Sequence, residues 1–261
     1  MSAGVRFVAA CGVLWIAALP SSVMGQSLAT RVAAVGSGQV NLHFIGRQGI
    51  CGDGLRFMRI GTSYQGSYSS DMRSTPCVTG PVQVRLTLEQ GSVTRVETWV
   101  GTLRTRDGSD FGEMPARESA QYLLALAARG NSGASAKAIL PAVLAESTVV
   151  WPALLGIARD ESRSRGTRQE SSFWLSRFAA GVIAGRKNDP LNDDATDDDD
   201  IGLKKHAVFV LSQLPHDEGV PELLKVVRSS ADLRVRGHAL FWLGQTGDAR
   251  ALAVFESILR P

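Results

Sequence analysis

Cysteine and histidine are scarce: 261 residues hold three of the first and four of the second. Most of the material from which zinc sites and thiol or imidazole catalysis are built is therefore missing. No Gly-x-Ser-x-Gly elbow and no His-Glu-x-x-His pair occurs. Gly46, Gly49, Gly52 and Gly54 cluster, but they do not open a helix after a strand as a phosphate cradle does. Charge of one sign is missing too. A net +3, from 28 basic and 25 acidic residues mixed along the chain, gives no concentrated basic face for nucleic acid. After the first two dozen residues no apolar run approaches the roughly 20 residues that a membrane-spanning helix needs. These absences point away from an enzyme, a metal protein and a nucleic-acid binder, and no cofactor is implied.

The N-terminus has what the rest lacks. Arg6 supplies a positive start, residues 7–19 are almost wholly apolar, Pro20 breaks the run, and Val23-Met24-Gly25 precede Gln26 with small residues. Residues 1–25 therefore read as a signal peptide, too short in its apolar part for a retained anchor. The expected place is the periplasm or the cell surface. Cys11 falls within the leader, leaving Cys51 and Cys77. An even pair in an oxidising compartment is most economically a disulfide. Closing that loop stabilises by about 3–4 kcal/mol in the chain-entropy model. Metal ligation or a nucleophilic role would need a further ligand, and His43, inside a strand pattern, is the one neighbour.

The mature chain divides by period. Residues 26–38 are small and irregular, and read as a flexible lead-in. Residues 39–112 read as a small antiparallel β module. Val40, Leu42 and Phe44 alternate with Asn41, His43 and Ile45, and 55–60 is a second, weaker strand. Residues 64–75, rich in Ser, Gly and Tyr, read as a loop tied down at Cys77. Val82, Val84, Leu86 and Leu88 share one face of a strand, Gln90-Gly91 turns the chain, and 93–100 runs back. Asp107-Gly108-Ser109 is expected to end the strands. The fold class is therefore α+β, with helices over 113–261. Pro115 opens a helix whose stripe is Ala120, Leu123, Leu124 and Ala127, stopped by Gly130. Further helices are expected at 134–146, 151–160, 165–185, 203–214, 219–229, 234–245 and 248–260.

The strongest signal is a repeat. His206-Ala207, Phe209, Leu211 and Gln213 return 32 positions later as His238-Ala239, Phe241, Leu243 and Gln245. Asp232 is placed to cap a helix that buries Val235, Ala239, Leu240, Trp242 and Leu243. Gly247-Asp248 then stops that helix and caps a second, with Ala251, Val254, Phe255 and Ile258 facing inward. Neither helix can hide its apolar stripe alone, so hairpins of this kind must stack. The pattern from Asp232 through Val235-Arg236, Ala239, Leu243-Gly244 and Gly247-Asp248 to Ala251 resembles a HEAT repeat of the bacterial type also called PBS-lyase HEAT-like. The unit before it fits more loosely, with Lys204, Ala207, Leu211, then Val220-Pro221, Leu223, Leu224 and Val227. A divergent copy sits 68 residues upstream, where Arg168, Phe173, Trp174 and Leu175 match Arg236, Phe241, Trp242 and Leu243. Leader, two-cysteine module and repeats in this order are similar to exported HEAT-repeat proteins of bacteria. The resemblance implies a right-handed α-α superhelix used for protein contacts and no single activity.

Other constellations have plainer readings. The acidic run over 188–200 fits no EF-hand register, lacking the glycine and the final glutamate, and reads as a solvated insertion between repeats. His206 and His238 share one repeat slot without a recurring carboxylate. Trp174 and Trp242 fill the slot that Val210 fills in the middle unit, and read as core. Outward positions on the second helix of each hairpin pair Lys225 with Glu256 and Ser229 with Arg260, with Glu222 beside them, and form the expected partner-binding row. The expected function is a non-catalytic exported scaffold for protein–protein interaction. Two alternatives are a small-molecule or enzyme site between the β module and the first helices, near 46–54 and 62–75, and a cation-responsive scaffold using the acidic loop.

Overall fold

A computed structural model describes residues 26–61, 63–66, 76–130, 132–186, 199–215 and 218–261. The expected leader, most of the loop over 64–75 and most of the acidic insertion lie outside the described residues.

The chain begins with helix α1 (Leu28–Val35), followed by strands β1 (Gly38–Phe44), β2 (Ile50–Gly52), β3 (Phe57–Ile60), β4 (Ser63–Gly66), β5 (Val82–Glu89), β6 (Ser92–Val100) and β7 (Ser109–Glu113). Helices α2 (Ala116–Arg129), α3 (Gly133–Lys137), α4 (Ile139–Leu144), α5 (Trp151–Arg159) and α6 (Arg165–Ile183) come next. The chain closes with α7 (Asp199–Ser212), α8 (Gly219–Ser229), α9 (Leu233–Thr246) and α10 (Ala249–Leu259).

Alternation set the main sheet. Val40, Leu42 and Phe44 of β1 lie opposite Leu86, Val84 and Val82 of β5 in antiparallel register, and all six are buried. Gln90 and Gly91, with φ of 51° and 76°, make the tight turn into β6. Two positive φ values in a two-residue loop match the right-handed twist of the strands it joins.

Three expectations are corrected here. The segment 26–38 is not irregular: Ser27 caps α1, Leu28 and Val32 are buried, and the Leu28 N–H donates to Glu118 Oε1 of α2 at 2.6 Å. Leu28, Val32 and Val35 fall at helical spacing, and α2 supplies a surface against which that face packs. Nor is the module purely antiparallel. Strand order is β6-β5-β1-β7, and β7 runs parallel to β1. Asp107-Gly108 turns the chain back along the open edge of β1 instead of ending the strands, and β7 carries no apolar alternation by which it could be read. The single helix expected at 134–146 is two short ones, α3 and α4, joined at Ala138. Pro141 lacks the N–H that would bond back toward α3, which disfavours one continuous helix.

The sulfurs of Cys51 and Cys77 are bonded. They staple the second sheet, ordered β2-β3-β4, to the segment that enters β5. Glycine at 52 and 54 has a packing reason: a Cβ at Gly52 would lie 2.4 Å from the Val100 carbonyl oxygen, and one at Gly54 2.1 Å from that of Thr102. The glycine-rich stretch is a seam where two backbones touch.

The module does not hang free of the helices. Gly46 bridges to Ala145, the Arg47 N–H donates to the Leu144 carbonyl, and α3 and α4 pack on β6 and β5. One continuous apolar core runs from Leu28 through the sheet to Phe255. Among the described residues no helix is long and apolar enough to cross a membrane.

Candidate functional site

The last hairpin forms as its sequence dictates. The Asp232 carboxylate accepts from the N–H groups of Arg234 and Val235, and Asp248 accepts from Arg250 N–H at 2.7 Å. Gly247 takes the left-handed conformation, with φ of 70°, that lets the chain turn from α9 into α10. Hydrogen bonds from the Arg250 guanidinium to Asp248, and from that of Arg234 to Asp232, hold both carboxyls below their ordinary values despite partial desolvation. Val235, Ala239, Leu240, Leu243, Ala251 and Phe255 are buried. Trp242, Val254 and Ile258 pack against this core from its edge.

Order in the stack departs from order in the chain. Helix α9 is flanked by α7 and α8 on one side and by α6 on the other. A Cβ at Gly244, late in α9, would meet Ser172 and Ser176 in the first two-thirds of α6. One at Gly237, early in α9, would meet Ala180 near the end of α6. The two helices therefore run antiparallel. Phe173 and Phe241, equivalent residues of the divergent copies, meet edge to face at 6.0 Å across this contact. The upstream copy does not continue a parallel stack; it closes against the last unit as its rotated twin. Ser172 and Ser176 are buried at this contact, Ser171 is buried beside them in the chain, and Ser171 and Ser176 bond back to α6 carbonyls. Small side chains let the helices approach.

The middle unit differs in a second way. Helix α7 starts at Asp199, so the last aspartates of the insertion are its first turn. Ile201 and Val208 are buried, but Leu203 is 69% exposed, Val210 50% and Leu214 41%, and Ala207 is exposed. Ala207 and Val210 were expected to be core positions. Of their counterparts 32 residues on, Ala239 is buried and Trp242 packs on Phe209 of α7, whereas the corresponding face of α7 is exposed among the described residues. Its other side is packed: Phe209 meets Trp242 at 5.0 Å.

The residues of the expected partner row lie on two helices, α8 and α10. Lys225 pairs with Glu222 on α8 at 3.8 Å, and Ser229 donates to the Lys225 carbonyl. On α10, Glu256 accepts from Arg159 of α5 at 2.5 Å and also from Arg260. The Arg159 guanidinium first, and then Arg260, hold its carboxyl below the ordinary value. Helix α10 packs on α5, α6 and α9, while α8 packs on α7 and α9. Glu256 and Arg260 thus belong to a seam with α5, while Glu222 and Lys225 pair on α8.

A cavity of about 310 Å3 is lined by Arg47, inside the 46–54 stretch of the alternative expectation, by residues 148–151, by α6 and by residues 258–261. Its wall includes Val149, Trp151, Phe178 and Ile258, with Arg47 and Arg260 at its edge. Arg47 donates from Nε to the Val143 carbonyl at 2.7 Å and from a terminal nitrogen to that of Thr148, and stacks over Phe178 at 5.4 Å. The signal was slight, one arginine among glycines. The histidines have structural partners: His238 Nε2 accepts from Trp242 Nε1 at 3.0 Å, and His206 lies against Phe209. Among the described residues no three His, Cys, Asp or Glu side chains converge as a metal site.

No curated protein and no solved structure matches the chain. Residues 189–261 match the family model described as HEAT repeats, which supports a HEAT-repeat domain at this end of the chain.

Proposed function

We propose that this protein is an exported, non-catalytic scaffold that binds protein partners through its HEAT-like end. HEAT repeats commonly mediate protein–protein interaction, and the match over 189–261 supports that use here. The observation that carries the reading is the apolar outer face of α7, where Leu203 and Val210 stand open two helical turns apart. Apolar surface of this kind, contiguous and rimmed by polar residues, marks interaction sites. The test is affinity capture from cell-envelope extract. A partner retained by the wild-type chain and lost on Leu203→Glu with Val210→Glu supports the scaffold. Export is read separately, from the intact mass of the secreted protein: a chain beginning at Gln26 is expected, and one retaining residues 1–25 would contradict it.

A second reading is small-molecule binding, favoured by the cavity beside Arg47 and Arg260. Apolar walls with guanidinium groups at the edge suit a small amphipathic anion. A chain that captures no protein but co-purifies with such a molecule would favour it.

A further inference from the structure

The outer face of the main sheet carries polar side chains in register. Asn41 of β1, Arg85 of β5 and Glu97 of β6 form one row, and His43, Gln83 and Trp99 form the next. After β6 the chain returns across this face before it reaches β7. Gln83 holds the crossing: it is 4% exposed, donates to the carbonyls of Gly101 and Thr102, and accepts from the Arg104 N–H at 3.0 Å. Asn41 donates to the Asp107 carbonyl at 2.8 Å. The crossing brings Arg104 and Arg106 toward Arg85. The Arg106 guanidinium lies 3.7 Å from the centre of the Trp99 ring, and that of Arg85 lies 6.0 Å from it.

The three guanidinium groups donate only to uncharged acceptors. Arg85 donates to Asn41 Oδ1 and the Asp107 carbonyl, Arg104 to the Asp53 carbonyl, and Arg106 to that of Gly54 at 2.7 Å. Among the described residues none of the three forms an ion pair, although Glu97 is opposite Arg85 in register. Arg106 Nε is buried without an acceptor. Burial first, then repulsion from Arg85 and Arg104, disfavours the charged form of Arg106, and Glu97 pulls the other way. Beneath the crossing is a cavity of about 70 Å3, walled in part by Asn41, His43, Arg104, Arg106 and Asp110. That is room for about two waters, or for one tetrahedral oxyanion. The Asp110 carboxylate accepts from the Gly112 N–H.

We propose that this face binds one small oxyanion, the phosphate or sulfate group of a free ion or of a larger ligand, between Arg85, Arg104 and Arg106. Guanidinium groups match such oxyanions with paired donors and stay charged at physiological pH. An anion seated there takes donors that the carbonyls leave over. It also offsets the repulsion among three like charges, with no ion pair to break first. Trp99 already holds Arg106 in place by a cation–π contact, so little side-chain freedom is lost on binding. The inference goes beyond the scaffold reading. The site lies on the sheet, away from the HEAT-like end, and its failure would leave that reading untouched.

Isothermal titration of the purified full chain, in chloride buffer of fixed ionic strength, tests this with inorganic phosphate, sulfate and glycerol 3-phosphate as probes. Melting temperature is read alongside, since a ligand of the folded state raises it. The wild type is expected to bind with one site per chain. Arg104→Gln, at an exposed side chain, and Arg85→Gln should each weaken binding about tenfold or more with unchanged circular dichroism. Arg106→Lys keeps the charge without the fork and should weaken it too. Arg117→Gln, exposed on α2, removes the same charge elsewhere and should bind as the wild type does. Equal affinity for phosphate and its glycerol ester assigns the site to a free ion, and a tighter ester to a group on a larger ligand. A wild type whose heats and melting temperature are indifferent to all three probes would overturn the proposal. So would binding that survives Arg85→Gln and Arg104→Gln, or that Arg117→Gln weakens equally.

Discussion

Ser176 and Gly244 occupy equivalent positions of two repeat copies and lie against each other, so close that a Cβ on Gly244 would sit 2.5 Å from the Ser176 hydroxyl oxygen and 2.6 Å from its Cβ. The α6–α9 contact therefore depends on a missing side chain. Gly244→Ala relieves the entropic cost of glycine in a helix, worth about 1 kcal/mol, but forces two packed helices apart. We expect a net loss of about 1–3 kcal/mol in urea unfolding. Adding Ser176→Gly should recover part of it, because the two sites share one contact. A neutral Gly244→Ala would show that the helices are not closely packed there.

The Cys51–Cys77 bond closes a loop with a sequence separation of 26. Cys77→Ala, or reduction of the wild type, should lower stability by about 3 kcal/mol through the freed unfolded chain. Oxidised and reduced melting curves that coincide would contradict this.

Acid should loosen the last hairpin. Asp232 and Asp248 have carboxyls held below their ordinary values in the folded state by guanidinium and backbone donors. A depressed folded value means that their contribution is fully present above the unfolded value, near 3.9, and is lost as pH falls through the folded one. The melting temperature should hold from pH 7 to about 5 and fall below about 4. Asp248→Asn keeps a capping oxygen and should flatten that fall, whereas Asp248→Ala should cost about 1 kcal/mol at neutral pH.

Arg47 holds the module to the helices through the carbonyls of Val143 and Thr148. Arg47→Ala leaves both acceptors without this donor, for an expected loss of about 1–3 kcal/mol in urea. Arg47→Lys should rescue only partly, because one ammonium on a flexible stem does not reproduce the planar fork. Full rescue by lysine would argue that charge, not the fork, is what matters there.

How far these features could be read depended on whether their cause was local. The β1–β5 face was visible in the alternation of Val40, Leu42 and Phe44 because each strand has one buried side. The caps at Asp232 and Asp248 and the stop at Gly247 were visible because they act within a few residues of themselves. Strand β7 was not, since the open edge of β1, distant in sequence, completes it. The ion pair of Glu256 was not legible either, because Arg159 lies 97 residues away in the chain.

The sequence by itself determined the repeat, its period, the apolar face of each helix and the two cysteines free to pair. Only the tertiary structure decided which neighbour each apolar face takes: α6 turned antiparallel onto α9, the β module merged into the helical core, and the outer face of α7 left uncovered. Periodicity records which side of a helix avoids water. Burial of apolar surface has no direction of its own, so the choice among like faces falls to shape, such as the gap at Gly244, and to where the connecting chain lets each helix go.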